Sequence, residues 1–233
     1  ADNAANVFRA YGITIFVTVV GTAINLAMSA LLAYPLSLKN LPGKRFFSFY
    51  VFFTMLFNGG LVPTYLMYTG IFHINNTLLA YIIPGFLMSA MNVMLIRTFF
   101  ANSIPDALFE AAQIDGASQF QIFGKIVLPL GKPILVAMGL LSGLGYWNDW
   151  TNGLYYVRDT QLYGIQNLLN KMITDLTALT QNASGASTAA LAEIPSASVR
   201  MAIAFVAMLP ILCLYPFLQK YFTKGIALGA VKG

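Results

Sequence analysis

The chain alternates between long apolar stretches without a charged residue and short polar ones that carry most of its charge. Residues 10–38 hold no Asp, Glu, Lys or Arg, and neither do residues 46–96. A helix needs about 20 mostly apolar residues to cross a bilayer, so the second stretch is long enough for two crossings. The pattern predicts an all-α polytopic membrane protein with five transmembrane helices in this chain. The predicted spans are residues 11–36, 46–69, 77–96, 133–150 and 200–219.

The composition agrees with a chain whose main solvent is lipid. Hydrophobic residues make up 58% of the 233 and charged residues only 9%, whereas a soluble domain carries about 25% charged residues. Such a chain cannot cover a globule with polar surface, so the lipid bilayer is its expected partner. The net charge of +5 does not indicate a nucleic acid partner, because the placement of the basic residues matters more here than their sum.

Lys and Arg are unevenly divided between the two sides that alternating spans create. Cytoplasmic loops carry the excess of Lys and Arg in membrane proteins. We therefore expect the richer side, with the C-terminus, to be cytoplasmic. The loop 151–198 then lies outside, and so does the start of the chain, which suggests a sixth span ahead of it in the full protein. The richer side holds nine of the 13 basic residues: Lys39, Lys44, Arg45, Arg97, Lys125, Lys132, Lys220, Lys224 and Lys232.

Residues 103–129 form a polar loop, the island, that is never apolar for long enough to cross a membrane. Its capping and turn residues predict two short helices joined by a glycine turn and lying along the cytoplasmic membrane surface. An ordinary amphipathic hairpin at the membrane surface fits the same pattern. The predicted landmarks are a cap at Ser103, a helix end near Ile114, a left-handed turn at Gly116, a capping box from Ser118 to Gln121 and a stop at Pro129.

The island also carries a spaced motif. Glu110-Ala111-Ala112 is followed after three residues by Gly116, after nine more by Ile126 and, one residue further on, by Leu128-Pro129. At each of these positions the chain resembles the signature loop of binding-protein-dependent ABC importer permeases. In that family the loop places a short coupling helix in a groove of the ATPase subunit, so the resemblance implies an ATPase-docking element. Its residues here would be Glu110, Ala111, Ala112, Asp115, Gly116, Ala117 and Phe120.

Further stretches resemble the carbohydrate-importer permeases within this family. Tyr146-Trp147-Asn148-Asp149-Trp150 resembles their Trp-Asn-acidic signature, and residues 225–233 resemble their usual end. Residues 57–65 are similar to a branch that is linked to oligosaccharide uptake. The resemblance implies a subunit of a bacterial cytoplasmic-membrane importer for a carbohydrate, paired as a heterodimer with a second permease. Two ATPase subunits and an extracytoplasmic sugar-binding protein would complete the complex.

The chain lacks the sequence of an ATPase site of its own. A phosphate-binding loop requires Gly-x-x-x-x-Gly-Lys followed by Ser or Thr, and neither Gly124-Lys125-Ile126 nor Gly131-Lys132-Pro133 meets that pattern. We expect no catalytic residue and no cofactor in this chain, with ATP and Mg²⁺ bound by the partner ATPase subunits. The sole histidine, His73, has no His or Cys near it in the sequence, so no metal site is expected.

The predicted spans carry no charged residue at their centres, where a charge costs at least about 2.5 kcal/mol. A proton- or sodium-coupled transporter would need such a residue, so the pattern favours a neutral, hydroxyl-rich solute. Amide and aromatic side chains suit sugars; the alternative is that they form helix–helix hydrogen bonds or an interfacial aromatic belt. The candidate path residues are Asn58, Tyr65, Asn92, Tyr146, Trp147 and Asn148.

Three other functions are compatible with parts of the pattern. They are an ABC permease for another solute such as peptides, an ion-coupled secondary transporter or channel, and a membrane scaffold without a transport role. Only an ABC permease requires a stoichiometric ATPase, so co-purification separates it from the last two.

Within the outer loop, residues 164–176 carry apolar residues at helical spacing, which predicts a helix that faces the solute-binding protein or packs on the spans.

Overall fold

A computed structural model describes residues 2–85 and 87–182, together with five helical positions at Met201, Phe205, Met208, Pro210 and Leu212. These residues contain no strand, so the all-α prediction is confirmed for the described part of the chain. The helices are α1 (Asp2–Ser37), α2 (Lys44–Leu56), α3 (Leu61–Leu66), α4 (Leu79–Ile82), α5 (Ala90–Ser103), α6 (Asp106–Ile114), α7 (Gln119–Ile122), α8 (Leu128–Leu130), α9 (Lys132–Trp147), α10 (Thr151–Tyr156) and α11 (Ile165–Asn182). A π-helical turn at Met67–Ile71 extends α3, and another at Phe123–Val127 joins α7 to α8.

The first helix, α1, is the centre of the fold, and α5 and α9 pack along it. Small residues let membrane helices approach each other closely. A β-carbon at Gly21 would lie 2.5 Å from the ring of Tyr146, and one at Gly139 would lie 2.9 Å from the side chain of Leu26. The two glycines therefore set the spacing between α1 and α9.

Among the described residues, one helix is long and apolar enough to cross a bilayer unaided, namely α1 over Ala5–Ser37. Two further crossings follow only if each of two bent helix pairs is counted as one span. These are α2 with α3 and its extension, bent by 108°, and Gln119–Leu130 with α9, bent by 78°. By length and composition the described residues thus give one to three spans, and five remains a prediction.

The predicted span 46–69 is divided at Asn58. The Asn58 Oδ1 accepts a hydrogen bond from the Gly60 amide at 2.8 Å, and Gly60 has a φ of 85°, which favours glycine. Such an Asx-type turn ends α2 and starts α3 in a new direction. Hydrophobicity alone does not reveal this break, because strongly apolar residues flank it on both sides.

The predicted span 77–96 is also not one helix. The short helix α4 ends just before Pro84-Gly85, where Gly85 has a φ of 77°. Proline cannot continue a helix hydrogen-bond ladder, and α5 begins afresh behind Ser89, whose side chain accepts a hydrogen bond from the Asn92 amide.

The other predicted elements have simpler outcomes. The stretch 11–36 lies within α1, and α9 covers most of 133–150. The helix predicted in the outer loop is α11. The span 200–219 lies outside the described residues except for the five helical positions given above, as do residues 183–198 of the outer loop and the basic tail.

Two basic side chains complete the C-terminal end of α1. Lys44 Nζ donates a hydrogen bond to the Leu38 carbonyl at 2.8 Å, and Arg97 Nε donates one to the Leu36 carbonyl at 3.1 Å. The last carbonyls of a helix have no partner within it, and the helix dipole favours a cation there. This end of α1 is therefore fixed, and the island packs beside it.

Candidate functional site

The island begins with α6, which follows a short break after α5. Pro105 is its N-terminal cap, and Asp106 lies in its first turn, where the helix dipole favours a negative charge. The prediction that Ser103 caps this helix is wrong, because Ser103 is the last residue of α5. Pro105 starts the helix instead, and the helix ends at Ile114 as predicted.

The glycine turn closes α6 in a Schellman motif. Gly116 has a φ of 78°, so the predicted left-handed conformation is confirmed. Its amide donates to the Gln113 carbonyl at 3.0 Å, and the Ala117 amide donates to the Ala112 carbonyl at 2.9 Å. These two bonds satisfy carbonyls that a helix end otherwise leaves open. The motif brings Ala112 and Ala117 together on the inner side of the turn.

The second half of the island starts with the predicted capping box. The Ser118 amide donates to Gln121 Oε1 at 2.8 Å, and the Gln121 amide donates to Ser118 Oγ at 3.3 Å. The prediction that Pro129 ends this helix is wrong, because Pro129 lies inside the helical run. The bend falls at Gly131, where a β-carbon would lie 2.5 Å from the ring of Phe100.

The seven predicted docking residues fall into two groups by exposure. Ala112 and Ala117 are half-buried and pack against the apolar cluster that contains Tyr34 and Ile122. They therefore hold the island to its own bundle. The exposed residues are Glu110, Ala111, Asp115, Gly116 and Phe120.

Two large apolar side chains project into solvent on either side of the glycine turn. Ile114 is 86% exposed and Phe120 is 81% exposed. Together they make this turn a candidate contact surface for a partner. The sequence prediction missed Ile114, although it lies three residues after Ala111 and four after Glu110, and so on the same face of α6.

A hollow of about 400 Å³ lies between the two halves of the island. It combines a cation and a carboxylate with an apolar floor, a mixture that is typical of the edge of protein–protein interfaces. Its lining residues are Asp115, Gly116, Ala117, Gln121, Ile122, Lys125 and Ile126.

Tyr34, near the end of α1, contacts both halves of the island. Its hydroxyl donates a hydrogen bond to Gln119 Oε1 at 2.6 Å. The Tyr34 ring centroid lies 6.4 Å from that of Phe109 in α6 and 5.3 Å from that of Phe123 in the following half. Tyr34 itself is buried whereas Gln119 is exposed, so the hydrogen bond is partly buried.

A second contact joins the turn after α1 to the start of α6. Lys39 Nζ forms an ion pair with the Asp106 carboxylate, and both side chains are exposed. The hydrogen bond to Asp106 raises the pKa of Lys39, and the negative charges of Asp106 and Glu110 act in the same direction. Exposed pairs of this kind are weak and sensitive to salt, so Lys39 supplements the partly buried Tyr34 contact.

Asn92, a candidate path residue, lies in a hydrogen-bonded cluster between three helices. Its Nδ2 donates to Asn25 Oδ1 at 3.1 Å and to Ser142 Oγ at 2.9 Å. The Ser142 hydroxyl donates in turn to Asn25 Oδ1 at 3.0 Å. The cluster ties α5 and α9 to α1, which is the helix–helix role that the sequence left as the alternative.

The aromatic pair Tyr146 and Trp147 is buried in the packed bundle. Tyr146 is 2% exposed, and its hydroxyl donates to the Ile82 carbonyl at 3.0 Å. Trp147 packs with Ala10 and Ile165. The next residue, Asn148, is exposed but donates to the Leu144 carbonyl at 2.9 Å within its own helix.

Of the remaining two candidates, Asn58 and Tyr65, only Asn58 lines a cleft of about 500 Å³ between α3, the Pro84-Gly85 turn and α10. Tyr65 stacks on Tyr156, with ring centroids 5.7 Å apart and planes 17° from parallel. The polar and aromatic lining comprises Asn58, Thr64, Asp149, Thr151, Asn152, Tyr155 and Tyr156.

Asp149 and Asn152 hold the wall of this cleft in place. The backbone amide of Asn152 donates to Asp149 Oδ1 at 3.0 Å, and its Nδ2 donates to Asp149 Oδ2 at 2.8 Å. The same Nδ2 also donates to the Pro84 carbonyl at 3.0 Å. Sequence reasoning missed Asn152, although its bonds to Asp149 are local, because its third partner, the Pro84 carbonyl, is 68 positions away.

The described part of the chain contains no candidate metal site, because nowhere in it do three His, Cys, Asp or Glu side chains lie close enough together to hold an ion.

Comparison with known proteins assigns a family. The family described as "Binding-protein-dependent transport system inner membrane component" matches residues 26–228. The chain is 39% identical over 225 residues to protein LplC of Bacillus subtilis, covering 97% of this chain and 74% of the relative. It is 37% identical over 227 residues to the polygalacturonan/rhamnogalacturonan transport system permease protein YtcP of the same organism, covering 97% and 78%.

A solved structure is also similar over most of the chain. It is a crystal structure of a bacterial ABC transporter involved in the import of the acidic polysaccharide alginate. The match has a TM-score of 0.79 and 31% sequence identity, and it covers 93% of this chain and 75% of that one.

Proposed function

The chain belongs to the family of binding-protein-dependent transport system inner membrane components, and from that premise we propose that it is the permease subunit of an ATP-driven oligosaccharide importer. The observation that carries the proposal is the family match over residues 26–228, which agrees with the resemblance seen in the Glu110-Ala111-Ala112 motif. The names of the relatives support the solute class, since one transports polygalacturonan or rhamnogalacturonan and another, AraQ of Halalkalibacterium halodurans, arabinooligosaccharides.

In this function the island is the place where the ATPase docks. The exposed side chains of Ile114 and Phe120 would enter the partner's apolar groove, and Glu110 would lie at the polar edge of the contact. The Schellman turn at Gly116 supports this role, because it holds α6 and the second half of the island at a fixed angle. ATP and Mg²⁺ belong to the partner subunits, and this chain transmits their movement.

The other partners follow from the same family. A second permease would complete a heterodimer in the bacterial cytoplasmic membrane, and two ATPase subunits would bind on the island's side, which would be cytoplasmic along with the C-terminus. An extracytoplasmic sugar-binding protein would meet the opposite side, where α10 and α11 lie. The excess of Lys and Arg on the island's side supports this orientation.

Substitutions in the island test the coupling role. Gly116→Asp adds a negatively charged side chain at the exposed left-handed turn of the docking face, and Glu110→Lys reverses a charge on the same face. We expect both variants to insert normally but to lose sugar uptake and sugar-stimulated ATP hydrolysis in the reconstituted importer.

Gly124→Asp is the matched control, since it adds the same carboxylate to the island where a β-carbon would meet nothing within 4 Å and φ is not positive. Undiminished sugar-stimulated ATP hydrolysis in Gly116→Asp and Glu110→Lys would contradict the coupling role. Purification of the wild-type chain without any ATPase would instead contradict the permease function itself and favour an ion-coupled transporter or a scaffold.

The solute path would include the cleft beside α10. Its aromatic and amide lining suits sugar rings and hydroxyl groups, and it lies on the same side of the molecule as α11. Asn92, Tyr146 and Trp147 would support the path from within the bundle.

Tyr155 offers a test of the cleft, because its ring lines it and is 39% exposed. An aromatic contact contributes about 0.5–1.5 kcal/mol, so Tyr155→Ala should raise the sugar concentration for half-maximal uptake by roughly three- to tenfold. Tyr50→Ala is the control, since Tyr50 is 60% exposed on α2, outside the cleft. An unchanged half-saturation concentration in Tyr155→Ala would place the path elsewhere.

A further inference from the structure

We propose that α1 connects the ATPase-docking island to the external helix α11, with Tyr34 as the joint at one end and Thr14 as the joint at the other. The proposal rests on the permease function and orientation proposed above, and it identifies two positioning residues that lie in neither the docking surface nor the cleft.

Tyr34 is suited to follow a movement of the whole island. It contacts Phe109 in the first half, and Gln119 and Phe123 in the second. The chain enters the first half from α5 and leaves the second half into α9. Each of these helices is continuous with one half only, whereas Tyr34 joins both halves to one helix.

Thr14 makes the corresponding contact at the other end. Its Oγ1 accepts a hydrogen bond from the Ile165 amide at 2.8 Å, and its side chain is buried at 6% exposure. Ile165 is the first residue of α11, and the first amides of a helix have no partner within it. Thr14 thus serves as a cap for α11 from another helix, and Ala10 packs with Ile165 and Leu169 beside it.

The helix between the two joints is suited to transmit displacement. Thr14 and Tyr34 are twenty residues apart in one continuous helix, which corresponds to about 30 Å at 1.5 Å per residue. The only proline in α1 is Pro35, so none lies between the joints. Midway, the Asn25 cluster ties α1 to α5 and α9. A shift of the island is therefore carried to the start of α11 by α1 as one body.

Amide hydrogen exchange in the assembled importer tests this, using Mg-ATP as the probe. The complex of this chain with its second permease and ATPase subunits is placed in lipid nanodiscs, and exchange is compared with and without nucleotide. In the wild type we expect Mg-ATP to change exchange in residues 106–122 of the island and also in residues 165–175 of α11, on the opposite side of the membrane.

Two substitutions should break the connection without breaking the complex. Tyr34→Phe keeps the ring contacts and removes the bond to Gln119, and Thr14→Val removes the cap of α11. In each variant we expect the nucleotide response of residues 165–175 to fall at least fivefold while that of residues 106–122 persists. Coupling energies of 1–3 kcal/mol correspond to factors of this size. The double variant should lose no more than the greater of the single losses, since both act on one connection.

Matched controls are Tyr50→Phe and Thr54→Val, which make the same chemical changes on α2. Gln119→Met, at an exposed position of the island, removes the same hydrogen bond from the other side and replaces Tyr34→Phe should that variant fail to fold.

A full α11 response in Tyr34→Phe or Gln119→Met overturns the proposal, and so does a wild type whose island responds while α11 does not. Absence of any nucleotide response in the wild-type island is a separate result, which contradicts the proposed docking function.

Discussion

The phenol ring of Tyr146 lies directly over Gly21, and its hydroxyl donates to the Ile82 carbonyl at 3.0 Å. The ring fills the space that any larger residue at position 21 would need. Tyr146, a candidate path residue by sequence, thus acts in the fold as a spacer between α1 and α9.

Gly21→Ala should destabilise the protein strongly for this reason. The added β-carbon would lie 2.5 Å from the Tyr146 ring, and overpacking of a filled core costs about 1–3 kcal/mol. We expect a lower thermal unfolding midpoint for the purified protein in nanodiscs. Gly12→Ala is the control on the same helix, where a β-carbon meets nothing within 4 Å; equal midpoints for the two variants would contradict the packing argument.

Local features of the site could be read from the sequence, and distant contacts could not. Gly116 and the Ser118–Gln121 pair were predicted correctly because a turn and a capping box depend on residues within three or four positions. The roles of Asn92 and Tyr34 depend on partners 50 to 85 positions away. No periodicity in a single sequence encodes such a pairing.

Among the elements, the second half of the island depends most on one local motif. Its first helix, α7, has only four residues, too few to be stable alone. The capping box and the buried side chain of Ile122 therefore hold it in place.

Ser118→Ala should loosen this half of the island. Loss of an N-cap side chain costs about 0.5–2 kcal/mol, so we expect faster amide exchange across residues 119–127 and weaker recovery of the ATPase with the chain. Ser103→Ala is the matched control, because that serine is exposed and ends α5 without capping α6. Equal exchange rates in the two variants would show that the capping box does not hold this segment.

Element types were predicted better than their continuity. Apolar composition identified the helical stretches, but breaks at Asn58-Gly59-Gly60 and Pro84-Gly85 divide two of them. The turn chemistry of these residues was visible in the sequence. Its effect was underestimated because a hydropathy count averages a few turn residues with many apolar neighbours.

On the scale of the whole molecule, α2 presents a broad apolar face with no cover from the described part of the chain. Val51 is its one buried residue, and the exposed ones are Phe46, Phe47, Phe49, Tyr50, Phe52, Phe53, Met55 and Leu56. In water such a face would favour aggregation, which agrees with a chain of a membrane-component family and favours lipid or a protein partner as its cover.

Paired substitutions of exposed phenylalanines distinguish this face from the island. Phe49→Asp places a charge among lipid tails, where insertion scales assign about 2.5–3.5 kcal/mol, and should lower the amount of protein in the membrane fraction. Phe120→Asp changes a side chain that is even more exposed, at 81% against 62%, and should leave that amount unchanged while reducing ATPase recovery. Quantitative immunoblots of membranes and of purified complexes measure both, and equal losses of membrane protein would contradict the division.

The exposure of Ile114 and Phe120 has a consequence for how the cell makes this protein. Without a partner, these two exposed apolar side chains would make each unassembled copy prone to associate with other proteins at the membrane surface. The amount of this chain would then have to match the amount of its ATPase. Chains made in excess would associate with one another or with quality-control proteases. Under the proposed docking role, the two side chains that contact the ATPase in the complex would also mark the copies that are left over.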